Sequence, residues 1–85
     1  MREVEARRSV FPGFAEMGEA RRRLVDELVT RRRAQGLSQT EVAARMRTSQ
    51  SAVARLEAST ADLKVSTLER YAAAVGAPIA WTLAE

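Results

Sequence analysis

The stretch Leu37-Ser38-Gln39-Thr40-Glu41-Val42-Ala43 decides the fold of this 85-residue chain. Ser38 and Glu41 have the spacing of a capping box, in which each side chain accepts the backbone amide hydrogen of the other residue. Leu37 and Val42 stand at the two positions of a hydrophobic staple around that box. We therefore predict that a helix begins directly after Ser38.

An apolar stripe precedes this stretch. From about Ala20 onward, large apolar residues recur at helical spacing, namely Leu24, Val25, Leu28 and Val29. Gly36 suits the left-handed residue that closes such a helix. Further upstream, Pro12 interrupts the chain, because proline fixes its own φ and pushes the preceding residue toward extended geometry. We predict an N-terminal arm over residues 1–19 and a first helix from about residue 20.

Two short helices follow, separated by a very short connector. The helix that begins after Ser38 should end at about Met46, and Arg47-Thr48 forms the connector. Ser49 can cap a third helix over residues 50–57. Two short helices joined by three or four residues, the second with a polar outer face, form a helix-turn-helix.

The last third of the chain contains one more helix and a tail. After a loop over residues 58–65, a fourth helix closes at Gly76. Ser66 and Glu69 offer a second possible capping box at its start. Residues 79–85 alternate large apolar with small or polar residues, and this period of two predicts a short strand, with a final helical turn as the alternative.

Composition excludes several classes of function. The chain has 14 basic and 11 acidic residues, a net charge of +3, and no histidine or cysteine. Six arginines lie within residues 21–33, which suggests a polyanionic partner, although a solvated helix face has the same composition. Without histidine and cysteine, the usual general base and the commonest metal ligands are missing. A chain this small also has little core in which to shield an active site. We expect no enzyme, no metal and no cofactor.

The chain also shows no membrane or export signal. It has no run of about 18 apolar residues and no apolar N-terminal stretch of the signal-peptide kind. We therefore expect a cytoplasmic protein with no membrane partner.

The outer face at the start of the third helix has the residue types that read base edges. In a helix-turn-helix, the second helix of the motif enters the DNA major groove with its N-terminal residues first. That face carries Gln50, Ser51, Ala54 and Arg55. A glutamine amide matches the edge of adenine and an arginine fork matches guanine, while Ser51 suits a base or a phosphate. We call Gln50, Ser51 and Arg55 the reading surface; an ordinary polar surface helix is the alternative interpretation.

Residues 31–76 resemble the helix-turn-helix domain of the phage lambda repressor and Xre-type regulators. The G-L-S-Q-x-E-V-A block, the T-S-Q-S entry to the third helix and the R-L-E exit occur in the family's order and spacing. The resemblance implies a mainly α bundle of four to five helices, with the DNA-binding domain over residues 20–78. It also implies a sequence-specific transcriptional repressor that binds a double-stranded DNA operator and associates with the nucleoid.

The resemblance assigns roles to single residues. In the family, the glutamine after the cap of helix two holds a DNA phosphate, and the matching residue here is Gln39. The family also pairs an arginine late in helix one with the glutamate of R-L-E, which implies a structural ion pair between Arg32 and Glu57. A bidentate arginine is the best partner for a partly buried carboxylate. We add Ser49, the cap of the third helix, to the predicted phosphate ligands.

Two departures from the family pattern affect further residues. The family usually has glycine at the left-handed turn position, where this chain has Arg47, and a non-glycine residue there costs roughly 1 kcal/mol. We predict that Arg47 contacts a phosphate, with simple tolerance of the strain as the alternative. In the family, the loop after the third helix usually has a glycine and basic residues, whereas here it has Asp62 and no glycine. Lys64 is the one cation of this loop, and we predict that it contacts a phosphate.

The tail is predicted to form a dimer interface. One domain of this kind contacts few base pairs, so specific binding normally needs two copies related by a dyad. Ile79, Trp81 and Leu83 share one face of the predicted strand over residues 79–85. Pairing with the same strand of a second copy would satisfy that exposed edge. The alternative is that Trp81 folds back onto its own core.

The N-terminal arm is predicted to bind a partner. Phe11, Phe14 and Met17 suggest an anchor for another protein, although they could equally cover the bottom of the first helix. The arm, the domain and the ending together resemble HigA-type antitoxins. That resemblance implies a small RelE/HigB-like ribonuclease toxin that is bound and silenced, with the pair repressing its own operon. A stand-alone Xre-type repressor of phage or host, and a protein-interaction module without DNA binding, are the alternatives.

Overall fold

Four helices make up the part of the chain that the computed structural model describes, residues 14–58 and 63–83, with side chains from Met17 onward. Helix α1 spans Phe14–Ala34, α2 spans Gln39–Met46, α3 spans Gln50–Glu57 and α4 spans Val65–Ala74. The mainly α bundle expected from the sequence is confirmed. No described helix has the length and apolar content that crossing a membrane requires.

The four helices share one apolar core. α2 packs against both α3 and α4, and α1 packs against α3. The buried residues lie at the inward positions that helical periodicity predicts. They are Val25, Leu28, Val29, Val42, Ala43, Met46, Val53, Leu56, Leu68, Tyr71, Ala72 and Val75. Because α3 is packed from its inner side by α1 and α2, its outer side is left facing solvent.

Side-chain caps fix where α2 and α3 begin. The Ser38 hydroxyl accepts the Glu41 amide hydrogen at 3.0 Å, and the Glu41 carboxylate accepts the Ser38 amide hydrogen at 2.7 Å. This capping box is the one predicted from the sequence, and its backbone hydrogen bond holds the pKa of Glu41 below its usual range. The Ser49 hydroxyl accepts the Ala52 amide hydrogen at 3.1 Å. Both predicted helix starts are therefore confirmed.

Three of the helices end in the same turn. Each end has one residue in the left-handed conformation, with φ of 71° at Gly36, 58° at Arg47 and 73° at Gly76. The next residue donates its amide hydrogen to a carbonyl five residues earlier, at 2.8 to 3.1 Å, which is the Schellman arrangement. Glycine adopts this φ without steric cost, whereas a residue with a Cβ loses roughly 1–2 kcal/mol. The strain expected at Arg47 is thus present in the structure.

Polar side chains join the C-terminal ends of α2 and α4. Arg45 of α2 donates to the Ala74 carbonyl of α4 at 2.7 Å, and Arg70 of α4 donates to the Met46 carbonyl of α2. The carbonyls of a last helical turn have no partner within the helix, so each arginine satisfies an acceptor that would otherwise depend on water. α2 and α4 are therefore fixed to each other at their C-terminal ends.

The start of α1 differs from the sequence prediction. The helix begins at Phe14 and not near Ala20, so the predicted boundary between residues 19 and 20 falls inside a helix. Periodicity missed this turn because Met17 is the one large apolar residue between positions 15 and 23. Met17 is exposed. Phe11 and the side chain of Phe14 lie outside the described residues. Of the three residues predicted to bind a partner protein, Met17 is the one whose side chain the structure describes.

The start of α4 also differs. The helix begins at Val65 with Lys64 at its cap, and no side chain caps it. The second capping box does not form, because Ser66 already lies inside the helix and Glu69 instead accepts a hydrogen bond from the Trp81 indole at 2.7 Å. Asp62, in the preceding loop, lies outside the described residues.

The tail forms neither the predicted strand nor a helical turn over residues 77–83; residues 84 and 85 lie outside the described part. A strand requires a neighbouring strand to pair with, and alternation alone does not supply one. Ile79 packs partly buried against the core. Trp81 and Leu83 are exposed, so Trp81 does not fold into its own core.

Candidate nucleic-acid interface

The reading surface lies on the solvent side of α3. Gln50, Ser51 and Arg55 are exposed, while Val53 and Leu56 on the opposite side of the helix are buried. Residues 50 and 51 form the first turn, and residue 55 follows one turn later on the same side. The surface therefore offers an amide, a hydroxyl and a guanidinium together, all able to bond to groups outside the protein.

Two of these side chains already bond to residues just outside the surface. Gln50 Nε2 donates to Gln39 Oε1 of α2 at 2.6 Å. The Ser51 and Ser49 hydroxyl oxygens lie 3.2 Å apart. These bonds orient the Gln50 and Ser51 side chains before any ligand binds. Less side-chain entropy is then lost when a ligand does bind.

The other end of α3 is held by a polar network around Glu57. Arg32 of α1 donates through Nε to Glu57 Oε2 at 2.7 Å and through Nη2 to Oε1 at 3.0 Å. Tyr71 of α4 donates its hydroxyl hydrogen to Oε2 at 2.6 Å, and Gln39 Nε2 donates to Oε1 at 2.8 Å. With Gln50 bonded to Gln39, these five residues form what we call the Glu57 network.

The Glu57 network is nearly closed to solvent at its centre. The Arg32 and Glu57 side chains are 9% and 8% exposed, and Tyr71 is fully buried. Arg32 Nη1 also donates to the Leu37 carbonyl at 2.8 Å, which ties the network to the turn between α1 and α2. A buried charge without such partners would cost several kcal/mol. The network therefore fixes α1, α2, α3 and α4 to one carboxylate.

Hydrogen bonding decides the ionisation of the network. Burial alone would raise the pKa of Glu57, but the hydrogen bonds from Arg32, Tyr71 and Gln39 outweigh it and hold the pKa of Glu57 below its ordinary value. Burial and the bond to Glu57 raise the pKa of Tyr71, and the bond to Glu57 raises the pKa of Arg32. At neutral pH the carboxylate is ionised, the guanidinium is charged and the phenol is neutral.

The predicted phosphate ligands are placed in two groups. Gln39 and Ser49 contact the reading surface through Gln50 and Ser51. Arg47 and Lys64 are exposed, Arg47 in the connector between α2 and α3 and Lys64 directly before α4. Their contacts with DNA stay predictions. Over the described residues, no group of three acidic side chains is arranged to hold a metal ion.

Sequence reasoning missed part of the network. It gave the Tyr71 hydroxyl group no role and did not join Gln39 to Glu57 or Gln50. One signal was available, because a tyrosine at an inward helical position needs a partner for its hydroxyl group. The partner itself lies 14 residues away in sequence, at a distance that only the packed fold defines.

Comparisons with known proteins identify the family to which these helices belong. A helix-turn-helix family model matches residues 28–82. Antitoxin HigA1 of Mycobacterium tuberculosis, from strains CDC 1551 / Oshkosh and H37Rv, is 48% identical over 67 residues. That match covers 79% of this chain and 45% of the relative, so the chain spans less than half the length of these curated relatives. No solved structure matches significantly. The family match covers well over half of the chain and includes α2, α3 and α4, and the protein therefore belongs to the helix-turn-helix family.

Proposed function

We propose that this chain is a sequence-specific double-stranded DNA-binding transcriptional repressor. The observation that carries the proposal is the exposed reading surface on α3, whose opposite side and far end are fixed to the core through Val53, Leu56 and Glu57. Helix-turn-helix proteins present such a face to the major groove. Catalysis, a metal and a cofactor have no part in this function.

The proposed complex uses two kinds of contact. Gln50 bonds to the edge of an adenine and Arg55 to a guanine, and each good bidentate pair contributes roughly 1–3 kcal/mol of discrimination. Ser51 bonds to a base or a phosphate. Gln39, Ser49, Arg47 and Lys64 contact phosphates, which position the helix but read no sequence.

The direct test is binding to a duplex from the chain's own promoter, measured across a salt series. Specific binding that weakens steeply with added salt is expected, because phosphate contacts release counterions. Replacing both Gln50 and Arg55 by alanine should abolish the preference for the promoter over unrelated DNA. Arg31→Ala, an exposed change on α1, is the matched control and should keep it. No binding at low salt would favour the protein-interaction module.

We further propose that the chain acts as an antitoxin. The support is the 48% identity to proteins named Antitoxin HigA1 over most of this chain. The proposed partner is a small RelE/HigB-like ribonuclease toxin in the cytoplasm, which the chain neutralises while the pair represses its own operon. The exposed Met17 at the start of α1 supplies an apolar contact for that partner.

Co-purification with the product of the neighbouring open reading frame tests the antitoxin role. A tight complex that suppresses the product's ribonuclease activity is expected. Met17→Glu should weaken the complex and leave promoter binding unchanged, whereas Glu19→Ala, an exposed change on the same helix, should affect neither. If no neighbouring product binds, the chain is a stand-alone repressor.

We also propose a homodimer formed through the tail. Trp81 and Leu83 are 55% and 96% exposed, so both are available to a second copy, while Ile79 packs partly against its own core. Sedimentation of the full chain should show a dimer that Leu83→Glu converts to a monomer. Thr82→Glu is the control at the neighbouring exposed position. A monomer at all concentrations would contradict this arrangement.

A further inference from the structure

We propose that Glu57 is a specificity-determining positioning residue, which acts through Gln39 to set how the Gln50 amide faces the duplex. The inference rests on the proposed DNA-binding function and extends it to a residue that does not touch DNA. It follows from the direction of each hydrogen bond in the Glu57 network.

The first step is the orientation of Gln39. An ionised carboxylate can only accept hydrogen bonds. Gln39 Nε2 lies 2.8 Å from Glu57 Oε1, so this amide must present its N–H to Glu57. Turning the amide around would place one oxygen against another. Glu57 therefore dictates that Gln39 directs its oxygen, and not its nitrogen, toward α3.

The second step transfers this orientation to Gln50. An amide oxygen also only accepts. Gln39 Oε1 lies 2.6 Å from Gln50 Nε2, so Gln50 must donate this hydrogen bond through its Nε2. The direction of donation runs from Gln50 to Gln39 to Glu57, and it is set at its buried end.

The third step is the stiffness of that buried end. Glu57 accepts two hydrogen bonds from Arg32 and one from Tyr71, in addition to the bond from Gln39. Its side chain is 8% exposed, so water has little room to replace these partners. A carboxylate held from three helices cannot rotate to release Gln39 without breaking bonds to the core.

The consequence is a choice between purines. With one N–H of Gln50 engaged, the amide offers the duplex one N–H and its oxygen, which match the N7 acceptor and N6 donor of adenine. If Gln39 were reversed, Gln50 would bond to it through oxygen and offer two N–H groups. Two donors match the O6 and N7 acceptors of guanine. Glu57 thus favours adenine over guanine at the position that Gln50 faces.

The experiment uses the full chain and its own promoter duplex with each base pair changed in turn. The position at which Gln50→Ala removes a preference marks the contact of Gln50. At that position the unsubstituted chain should prefer adenine over guanine by about tenfold or more. Glu57→Gln permits both orientations of the Gln39 amide. Gln39→Ala removes the side chain that orients the Gln50 amide. Both variants should lower this preference to within about twofold and leave the base preferences at the other positions unchanged, while Gln39→Ala also weakens binding to every duplex through its lost phosphate contact.

Two further variants separate positioning from general support of the fold. Tyr71→Phe removes one hydrogen bond from Glu57 but keeps the bond to Gln39, so it should lower the melting temperature and retain the adenine preference. Glu57→Gln combined with Gln39→Glu moves the carboxylate to position 39, where it again accepts from Gln50, and should restore the preference. All binding is measured at a temperature where circular dichroism shows each variant folded; if Glu57→Gln alone does not fold, Gln39→Ala and Tyr71→Phe decide.

The outcomes are distinct. If Glu57→Gln and Gln39→Ala keep the adenine preference, or if Tyr71→Phe loses it equally, the positioning role is wrong while the DNA-binding function stands. If the unsubstituted chain binds no duplex specifically, the proposed function fails and this inference fails with it.

Discussion

The two ends of α3 are built in opposite ways. The first turn carries Gln50 and Ser51, which are exposed and bonded to other polar surface residues. The last turn also presents the exposed Arg55, but it ends in Leu56, which is buried, and Glu57, whose side chain is 8% exposed and bonded to three other helices. Eight residues thus contain both a surface for contact and an anchor in the core.

This difference predicts that substitutions at the two ends of α3 have different effects. Changes at the anchored end should alter the free energy of unfolding, because they leave a buried group without its partner. Changes at the exposed end should alter recognition and leave stability unchanged. Gln39 bonds to both ends, so it joins the two tasks.

The largest expected effect is at the anchored end. Arg32→Ala leaves Glu57 buried without its ion-pair partner and should lower the free energy of unfolding by about 3–5 kcal/mol. Urea denaturation followed by circular dichroism measures it. Arg33→Ala, at the next residue but exposed, should stay within about 0.5 kcal/mol of the unsubstituted chain. Equal stability of the two variants would show that the Arg32–Glu57 ion pair does not hold the last turn of α3 to the core.

The next effect is at the exposed end. Gln50→Ala should cost roughly 1–3 kcal/mol of binding at one base position and leave the melting temperature unchanged. Binding to promoter duplexes with single base-pair changes locates that position. An equal loss on every duplex would show that Gln50 contacts only phosphate, and a lower melting temperature would show that the exposed end also supports the fold.

A smaller effect sharpens the comparison at the connector that leads into α3. Arg47→Gly removes the left-handed strain but adds freedom to the unfolded chain, so the free energy of unfolding should rise by up to about 1 kcal/mol. If Arg47 contacts a phosphate, the same variant should bind DNA less tightly, with a salt dependence lower by about one counterion. A gain in stability with unchanged binding would support simple tolerance.

Gly36→Ala is the matched control for Arg47→Gly. A Cβ built at Gly36 meets nothing within 4 Å, so the substitution tests the left-handed backbone alone. It should lower the free energy of unfolding by about 1 kcal/mol, opposite in sign to Arg47→Gly. Changes of the same sign in both variants would contradict the strain argument.

The last expected effect is a pH dependence of the free energy of unfolding, which arises from the ionisation of Glu57 and is absent near neutral pH. Its pKa in the folded state lies below the ordinary value of 4.5, so its stabilising contribution is complete above that value and is lost as the pH falls through the folded-state pKa. Urea denaturation from about pH 7 to pH 3 should show this loss only at the acidic end. Glu57→Gln should lose less stability over the same range, and an identical profile would contradict the assignment.

Local chemistry explains which elements the sequence predicted well. The starts of α2 and α3 depend on Ser38 and Ser49, whose hydroxyl groups bond three residues along the chain, so neighbouring residues contain all the information. The closing turn at Gly36 has the same local character. The first turns of α1 contain Met17 as the one large apolar residue between positions 15 and 23, so periodicity placed the start of this helix too late in the chain.

The remaining features depend on residues that are distant in sequence. Glu57 meets Arg32 from 25 residues away and Gln39 from 18 residues away, and no periodicity encodes those meetings. The family resemblance supplied the first pair but assigned Gln39 to a phosphate without its internal bonds. The tail was predicted as a strand from alternation, but residues 14–58 and 63–83 contain no strand with which residues 79–83 could pair.

The contact between the tail and α4 gives the molecule a built-in optical reporter. Trp81 is the single tryptophan of the chain, is 55% exposed and donates its indole hydrogen to Glu69. Its emission therefore senses release of the last residues from α4, whereas far-ultraviolet circular dichroism senses melting of the helices. In a thermal scan the two signals should not coincide, with emission changing first, and titration with a binding partner that covers the tail should shift emission to the blue while the helices stay intact.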